Sequence, residues 1–167
     1  MLGRQIAPGL MRHFAAETWE EIPASLWQEE RRKAYQAIRY DVNLLIRASD
    51  RDAAAIRVAR ENAATAGVDD CIQFDCCDAA GMQADRPSSI VITNPPYGKR
   101  IGEQRDIQTL YRQFYRFFHE HPTWSLFLLT ADRGVEEKCF GRKADRRRKL
   151  YNGNIEVCYY QFHGEKR

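Results

Sequence analysis

Apolar and polar positions fall into blocks along this chain, and from residue 42 the blocks alternate between two kinds. Short apolar runs read as strands; stretches with an apolar side chain every third or fourth position read as helices. Residues 42–48 are a short run ending at Ser49-Asp50. Residues 52–66 are alanine-rich, with Ile56, Val58, Ala59 and Ala63 at helical spacing, and Gly67 suits the left-handed turn that closes a helix. Cys71-Ile72-Gln73-Phe74 alternates like a strand and runs into Asp75-Cys76-Cys77-Asp78. After a loop around Gly81 and Pro87 comes Ser89-Ile90-Val91-Ile92-Thr93, another strand. Leu110, Phe114, Phe117 and Phe118 predict one face of a helix that stops near Pro122, and residues 124–130 read as a buried strand. Tyr151-Asn152-Gly153-Asn154 is a turn ahead of a last strand over 155–162.

Residues 1–40 have a different rhythm. Ala7-Pro8-Gly9 breaks a helical lead-in, and Ser25 is the expected cap of a helix through Ala34. Glu29 and Glu30 ahead of Lys33 suit a solvated helix face. Strands alternating with helices predict an α/β fold, a mostly parallel sheet with helices on both faces. One domain over 1–167 is expected, with 1–40 as the lead-in and 41–167 as the sheet core.

Composition narrows the picture modestly. A chain of 167 residues can bury one core, and 44% hydrophobic content places it among globular proteins. No run approaches the ~18 apolar residues of a membrane span, and the first residues lack the order of a secretory signal. A net charge of +3 is compatible with a nucleic-acid partner. Cys71, Cys76, Cys77, Cys139 and Cys158 show no Cys-x-x-Cys pair. They are expected to be reduced thiols packed mostly in strands, in a cytoplasmic protein. The four histidines are not grouped with them, so no metal site is expected.

The chemistry concentrates at Asn94-Pro95-Pro96-Tyr97. Prolines cannot continue a ladder, so the chain must leave the sheet at Asn94, at the strand's carboxyl end, where open α/β sheets bind ligands. Asp50 and Asp78 fall at two other strand ends. A carboxylate there can accept from both hydroxyls of a ribose, which suits Asp50; Asp52 is its rival for that role and equally good as a helix cap. Asp78 could accept from an adenine amino group. Polar turn residues are the plainer alternative for both acids. The exocyclic amine of guanine or adenine is a poor nucleophile, because its lone pair is delocalised into the ring. The Asn94 side-chain oxygen and the Pro95 carbonyl can accept its two N–H bonds and turn the lone pair toward the sulfonium methyl of S-adenosylmethionine. Positioning and acceptor dipoles supply most of such an effect, and Tyr97 offers a stacking face.

These residues resemble the class I methyltransferases with an Asn-Pro-Pro-Tyr motif. The closer similarity is to the ribosomal-RNA guanine-N2 methyltransferases that, in longer proteins, follow an RNA-binding THUMP domain. Ile6-Ala7-Pro8-Gly9-Leu10 with Phe14-Ala15-Ala16-Glu17-Thr18-Trp19 resembles the segment after that group's cofactor loop. Ala48-Ser49-Asp50-Arg51-Asp52 resembles its second strand, and residues 94–100 its catalytic loop. Arg148-Lys149-Leu150-Tyr151-Asn152-Gly153 resembles its closing hairpin, which separates the group from DNA adenine-N6 methylases, the alternative enzyme reading. The resemblance implies a Rossmann-like class I methyltransferase fold with a C-terminal antiparallel hairpin. It also implies S-adenosylmethionine as cofactor, Asp50 on the ribose, Asp78 near the adenine, and residues 94–97 at the target base of a ribosomal RNA.

The same resemblance sets an expectation of absence. The family's first, central strand and its Gly-rich loop would lie just before Ile6. Without them the strands ending at Asp50 and Asn94 must pair directly, or a missing N-terminal segment or self-association must fill the gap, because unpaired backbone groups are costly. A catalytically silent fragment that binds RNA or a partner chain is the other class of reading. Two basic features complete the inventory. Lys99 and Arg100, behind the catalytic loop, are placed to meet a phosphate near a flipped base. Residues 142–149 carry six cations in eight positions and read either as a solvated loop or as a phosphate contact. Tyr111, Phe114, Tyr115 and Phe118 are expected to be core packing.

Overall fold

The computed structural model describes residues 1–97 and 101–166. The chain divides into two compact units, Met1–Asp78 and Ala79–Arg167.

In the first unit, short 3₁₀ turns at Leu2–Arg4 and Ala15–Thr18 precede helix α1 (Ala24–Gln36), and strand β1 (Ile46–Asp50) leads through helix α2 (Ala53–Thr65) and the turn Asp69–Cys71 to strand β2 (Ile72–Cys76). The expected Ser25 cap is corrected. Pro23 holds the N-cap position with φ −57° and gives no side-chain cap bond, which puts Ser25 inside the first turn. The lead-in is instead folded around one carboxylate. Glu17 accepts from the Phe14 N–H at 2.9 Å and from the Arg31 guanidinium, and lies 3.0 Å from the His13 ring. Arg31 also donates to the carbonyls of Leu10 and Arg12, both at 2.6 Å, and Phe14 stacks on Trp27. The His13 contact, the Phe14 N–H and Arg31 together hold the Glu17 carboxyl down at about 2.

Both ends of α2 are chemically closed. Asp52 accepts the Ala54 N–H at 2.8 Å as N-cap. At the other end Gly67, with φ +65°, sends its N–H to Ala64 O, and Val68 sends its own to Ala63 O. That pair of bonds is a Schellman motif, and Val68 is buried beyond it as the motif favours. Strands β1 and β2 are parallel neighbours in register Ile46↔Ile72 through Asp50↔Cys76. The first strand therefore begins four residues later than its apolar run and takes in Ser49 and Asp50, because only there does β2 supply a ladder. Arg4, almost fully buried, clamps both carboxylate oxygens of Asp70 at 2.8 and 2.7 Å and ties the first turn to the approach of β2.

The second unit runs from a 3₁₀ turn at Ala79–Gly81 to strand β3 (Ile90–Thr93), helix α3 (Ile101–Glu120), strand β4 (Ser125–Thr130), helix α4 (Val135–Phe140), and strands β5 (Arg146–Asn152) and β6 (Ile155–Phe162). The four strands make one mixed sheet in the order β3-β4-β6-β5. The pair β3–β4 is parallel and the other two pairs are antiparallel. Ile107, Tyr111, Phe114 and Phe118 of α3 recur at i, i+4, i+7 and i+11, and bury against Leu126, Leu128, Tyr160 and Phe162 of the sheet. Tyr115 departs from the expectation for its stripe. It faces outward, 45% exposed, and stacks on His119 one turn on. Thr130, buried at the end of β4, shares a 2.9 Å hydrogen bond with the Tyr111 hydroxyl.

Two more expectations change, and one helix was not expected at all. Much of the basic run is no loop: residues 146–149 belong to β5, the outer strand of the sheet, with every side chain exposed. Helix α4 had no sequence signal. Cys76 and Cys77 are exposed free thiols, while Cys71 is buried. Among the described residues, the ladder of β1 is with β2 and that of β3 is with β4. Among the described residues, no helix is long and apolar enough to cross a membrane, and no group of three or more His, Cys, Asp or Glu could hold a metal ion.

Candidate active site

The loop after β3 is fixed by its two flanks. β3 runs beside β4 with Thr93 opposite Leu128, and the ladder stops where Pro95 and Pro96 withdraw their N–H groups. Pro95 is buried, whereas Asn94 and Pro96 are exposed, so the loop is anchored at its second residue and presents its amide outward. Tyr97 is half-buried, and its hydroxyl is 3.3 Å from the side-chain nitrogen of Asn152, which donates to it. Asn152 is the last residue of β5, so the closing hairpin touches the loop directly. Lys99 and Arg100 lie outside the described residues.

Beside β3, the end of β4 is similarly built. Thr130 accepts the Asp132 N–H at 3.1 Å; Asp132 in turn accepts the Gly134 N–H at 2.8 Å and the Lys138 ammonium at 2.6 Å. These bonds tie the strand end to the first turns of α4.

In the first unit, Asp50 and Asp78 sit at the carboxyl ends of adjacent parallel strands. Asp50 closes β1, its carbonyl accepting the Cys77 N–H at 3.0 Å. Its Oδ1 accepts the Asp52 N–H at 2.8 Å, and the carboxylate is exposed. Asp52 Oδ1 in turn accepts the Ala54 N–H at 2.8 Å, so Asp52 is the N-cap of α2, and each of the two acids has one carboxylate oxygen on a backbone N–H. Asp78, also exposed, follows β2 by two residues. The expected residues thus group as Asp50 with Asp78 in one unit, and Asn94 through Tyr97 in the other.

Sequence reasoning missed Asn152 as a partner of Tyr97. Its signal was present as the Asn-Gly turn, but a turn signature reports backbone shape and not the loop that the side chain meets. Gly153, with φ +59°, starts the two-residue connection that brings β5 back along β6. The hairpin carries its own ion pairs. Lys149 lies 2.7 Å from Glu156, which also meets Arg133 at 2.8 Å. Lys149 and then Arg133 hold the Glu156 carboxyl below its usual range.

Comparison with known proteins agrees with this architecture. "Putative RNA methyltransferase YpsC" of Bacillus subtilis (strain 168) is 38% identical over 162 residues, covering 97% of this chain and 42% of its own length. Ribosomal RNA large subunit methyltransferase K/L of Shewanella amazonensis is 34% identical, covering 95% of this chain and 23% of that protein. The chain therefore spans less than half the length of either relative. Among solved structures, SMU.472, "a putative methyltransferase complexed with SAH", superposes with a TM-score of 0.90 at 37% identity, over 99% of this chain and 44% of that one. The α/β architecture is thus the Rossmann-like one of methyltransferases. Residues 1–161 match the family described as RMKL-like, methyltransferase domain, and the chain belongs to that family.

Proposed function

We propose that this chain is the catalytic part of an S-adenosylmethionine-dependent RNA methyltransferase acting on an exocyclic base amine, guanine N2 of ribosomal RNA. The observation that carries the reading is the loop 94–97. An exposed Asn and a following proline carbonyl stand at the carboxyl end of a parallel strand, with an aromatic ring tied to the closing hairpin. The relatives' names, an RNA methyltransferase and a ribosomal RNA large subunit methyltransferase, support the substrate class.

The residues present fit the cofactor. A ribose diol needs acceptors and an adenine amine needs one more, and two exposed carboxylates at adjacent strand ends supply that set. Asp50 would hold the ribose, with its Oδ1 already oriented by the Asp52 N–H, and Asp78 the adenine side. When bound, the cofactor would supply an electrophilic sulfonium methyl group to the amine nitrogen, its sulfur departing as the thioether and one amine proton passing to solvent. Asn94 Oδ1 and the Pro95 carbonyl accept the two N–H bonds of the target amine and hold its lone pair away from the ring. The Pro95 carbonyl is fixed before substrate arrives, by burial and ring rigidity, so little reorganisation is needed at that acceptor at the moment of reaction. The Tyr97 ring, steadied by Asn152, supports the extruded base by stacking, worth ~1–3 kcal/mol.

The test uses the full-length protein that carries this chain, ribosomal RNA lacking the modification, and labelled S-adenosylmethionine. Digestion of the product is expected to release N2-methylguanosine; N6-methyladenosine would overturn the choice of base. Asn94→Ala is expected to lower kcat by about 10²–10³-fold, the range for a lost preorganised polar contact, with cofactor affinity nearly unchanged. A variant as active as the parent would refute the role of Asn94.

A further inference from the structure

The six cations of residues 142–149 are not equivalent. Arg142 is structural: it lies 3.3 Å from Asp145, donates to the His163 carbonyl, and sits over the rings of Phe140 and Phe162. Lys143 precedes the strand. The other four lie on β5, whose ladder with β6 is regular from Arg146↔Gln161 to Asn152↔Ile155, so successive side chains alternate strictly between faces. Arg147 and Lys149 share the face of Tyr160 and Cys158, toward α4, and both are neutralised: Arg147 by Glu136 of α4 at 3.6 Å, Lys149 by Glu156 at 2.7 Å. Arg146, Arg148, Leu150 and Asn152 share the opposite face. Among the described residues, no acid pairs with Arg146 or Arg148, and both are exposed. The face ends at Asn152, whose side chain holds the Tyr97 hydroxyl.

We infer that the Arg146–Arg148 face of β5 is a phosphate track for the single-stranded RNA flanking the target base. The inference rests on the RNA reading above and extends it from the base to the backbone. Side chains two apart on one face of a strand are about 6.8 Å apart, a step comparable to that between successive phosphates of an extended single strand. From Asn152 to Arg148 is about 13 Å along the strand, so the first guanidinium stands a few nucleotides from a base stacked on Tyr97. Arg146 and Arg148 can turn to a phosphate without breaking an ion pair, whereas Arg147 and Lys149 must first leave their carboxylates. Half-exposed Leu150 lies between the cations and Asn152 and offers apolar contact to a sugar or base. Every residue of β5 is exposed, so Arg146 and Arg148 are within reach of solvent and of an RNA backbone.

The experiment measures binding of the full-length protein to a labelled single-stranded RNA containing guanine, by anisotropy over a range of salt. Each phosphate contact contributes about −0.7 to the slope of log K against log salt for single strands. The double variant Arg146→Gln/Arg148→Gln is expected to make the slope less negative by about 1.4 and to weaken binding at 0.1 M salt by roughly 25-fold, if the electrostatic contribution vanishes near 1 M. Arg146→Lys/Arg148→Lys is expected to restore most of the slope, which a folding defect would not allow. Lys149→Gln, on the neutralised face, is expected to leave it unchanged. A double Gln variant with the parental slope and affinity would overturn the inference while leaving the RNA reading intact. A parent that binds RNA without salt dependence, or not at all, would overturn both.

Discussion

The contact between Asn152 and Tyr97 makes the hairpin a positioning element of the loop, and it can be isolated by a double-mutant cycle. Asn152→Ala removes the donor; Tyr97→Phe removes the hydroxyl and keeps the stacking face. At 3.3 Å on an exposed part of the molecule, this bond falls in the lower part of the net hydrogen-bond range, about 0.5–1 kcal/mol. If the bond steadies the ring in the reacting complex, each single change lowers kcat/KM by roughly 2–5-fold. Because both remove the same interaction, the double variant is expected to lose the same 2–5-fold and not the product of the two losses. The assay is methyl transfer from labelled S-adenosylmethionine to ribosomal RNA, with thermal melts of all four proteins to exclude unfolding. Multiplicative losses would refute the coupling. So would a Tyr97→Phe variant with full activity, since the ring would then need no anchor.

Other outcomes follow from the packing and charge described above. Phe114→Ala, at a position 2% exposed among Ile107, Phe118 and the sheet, is expected to cost about 3–5 kcal/mol by leaving a cavity, read as a shift in the denaturant midpoint. The Glu17 carboxyl titrates at about 2 against a usual 4.5. Its folded value is depressed, so its contribution to stability is full above pH ~4.5 and is lost as pH falls toward 2. Glu17→Gln is therefore expected to flatten the acid limb of stability in that window, followed by circular dichroism; an unchanged limb would show that the lead-in does not depend on this carboxylate.

Much of the chain's local structure was legible because its signals are local. Gly67 after an alanine-rich helix encodes a left-handed cap, and the helix ends there by a Schellman pair. The run before Asn94 ends as a strand because two prolines remove the next donors, a fact of covalent chemistry that needs no tertiary context. Asp52 likewise sits where a helix cap is expected, and its hydrogen bond from the Ala54 N–H makes it one. Ser25 failed as a cap because a neighbouring proline already fixed the helix start.

What escaped the sequence was what depends on partners far along the chain. Residues 146–149 look like a solvated basic loop because no apolar alternation marks them. They form a strand because β6 offers a ladder and Gly153 turns the chain back onto it. Helix α4 is too short for its period to show, and forms around Val135, which is fully buried. By itself the sequence determined the loop 94–97, the acids at strand ends and the α/β alternation, since each follows from backbone chemistry within a few residues. Only the tertiary structure decided which cations are already neutralised, which face of β5 carries the others, and that Asn152 meets Tyr97 across 55 residues. Side-chain pairing at that separation is set by register and by the hairpin's turn, and neither is written in local composition.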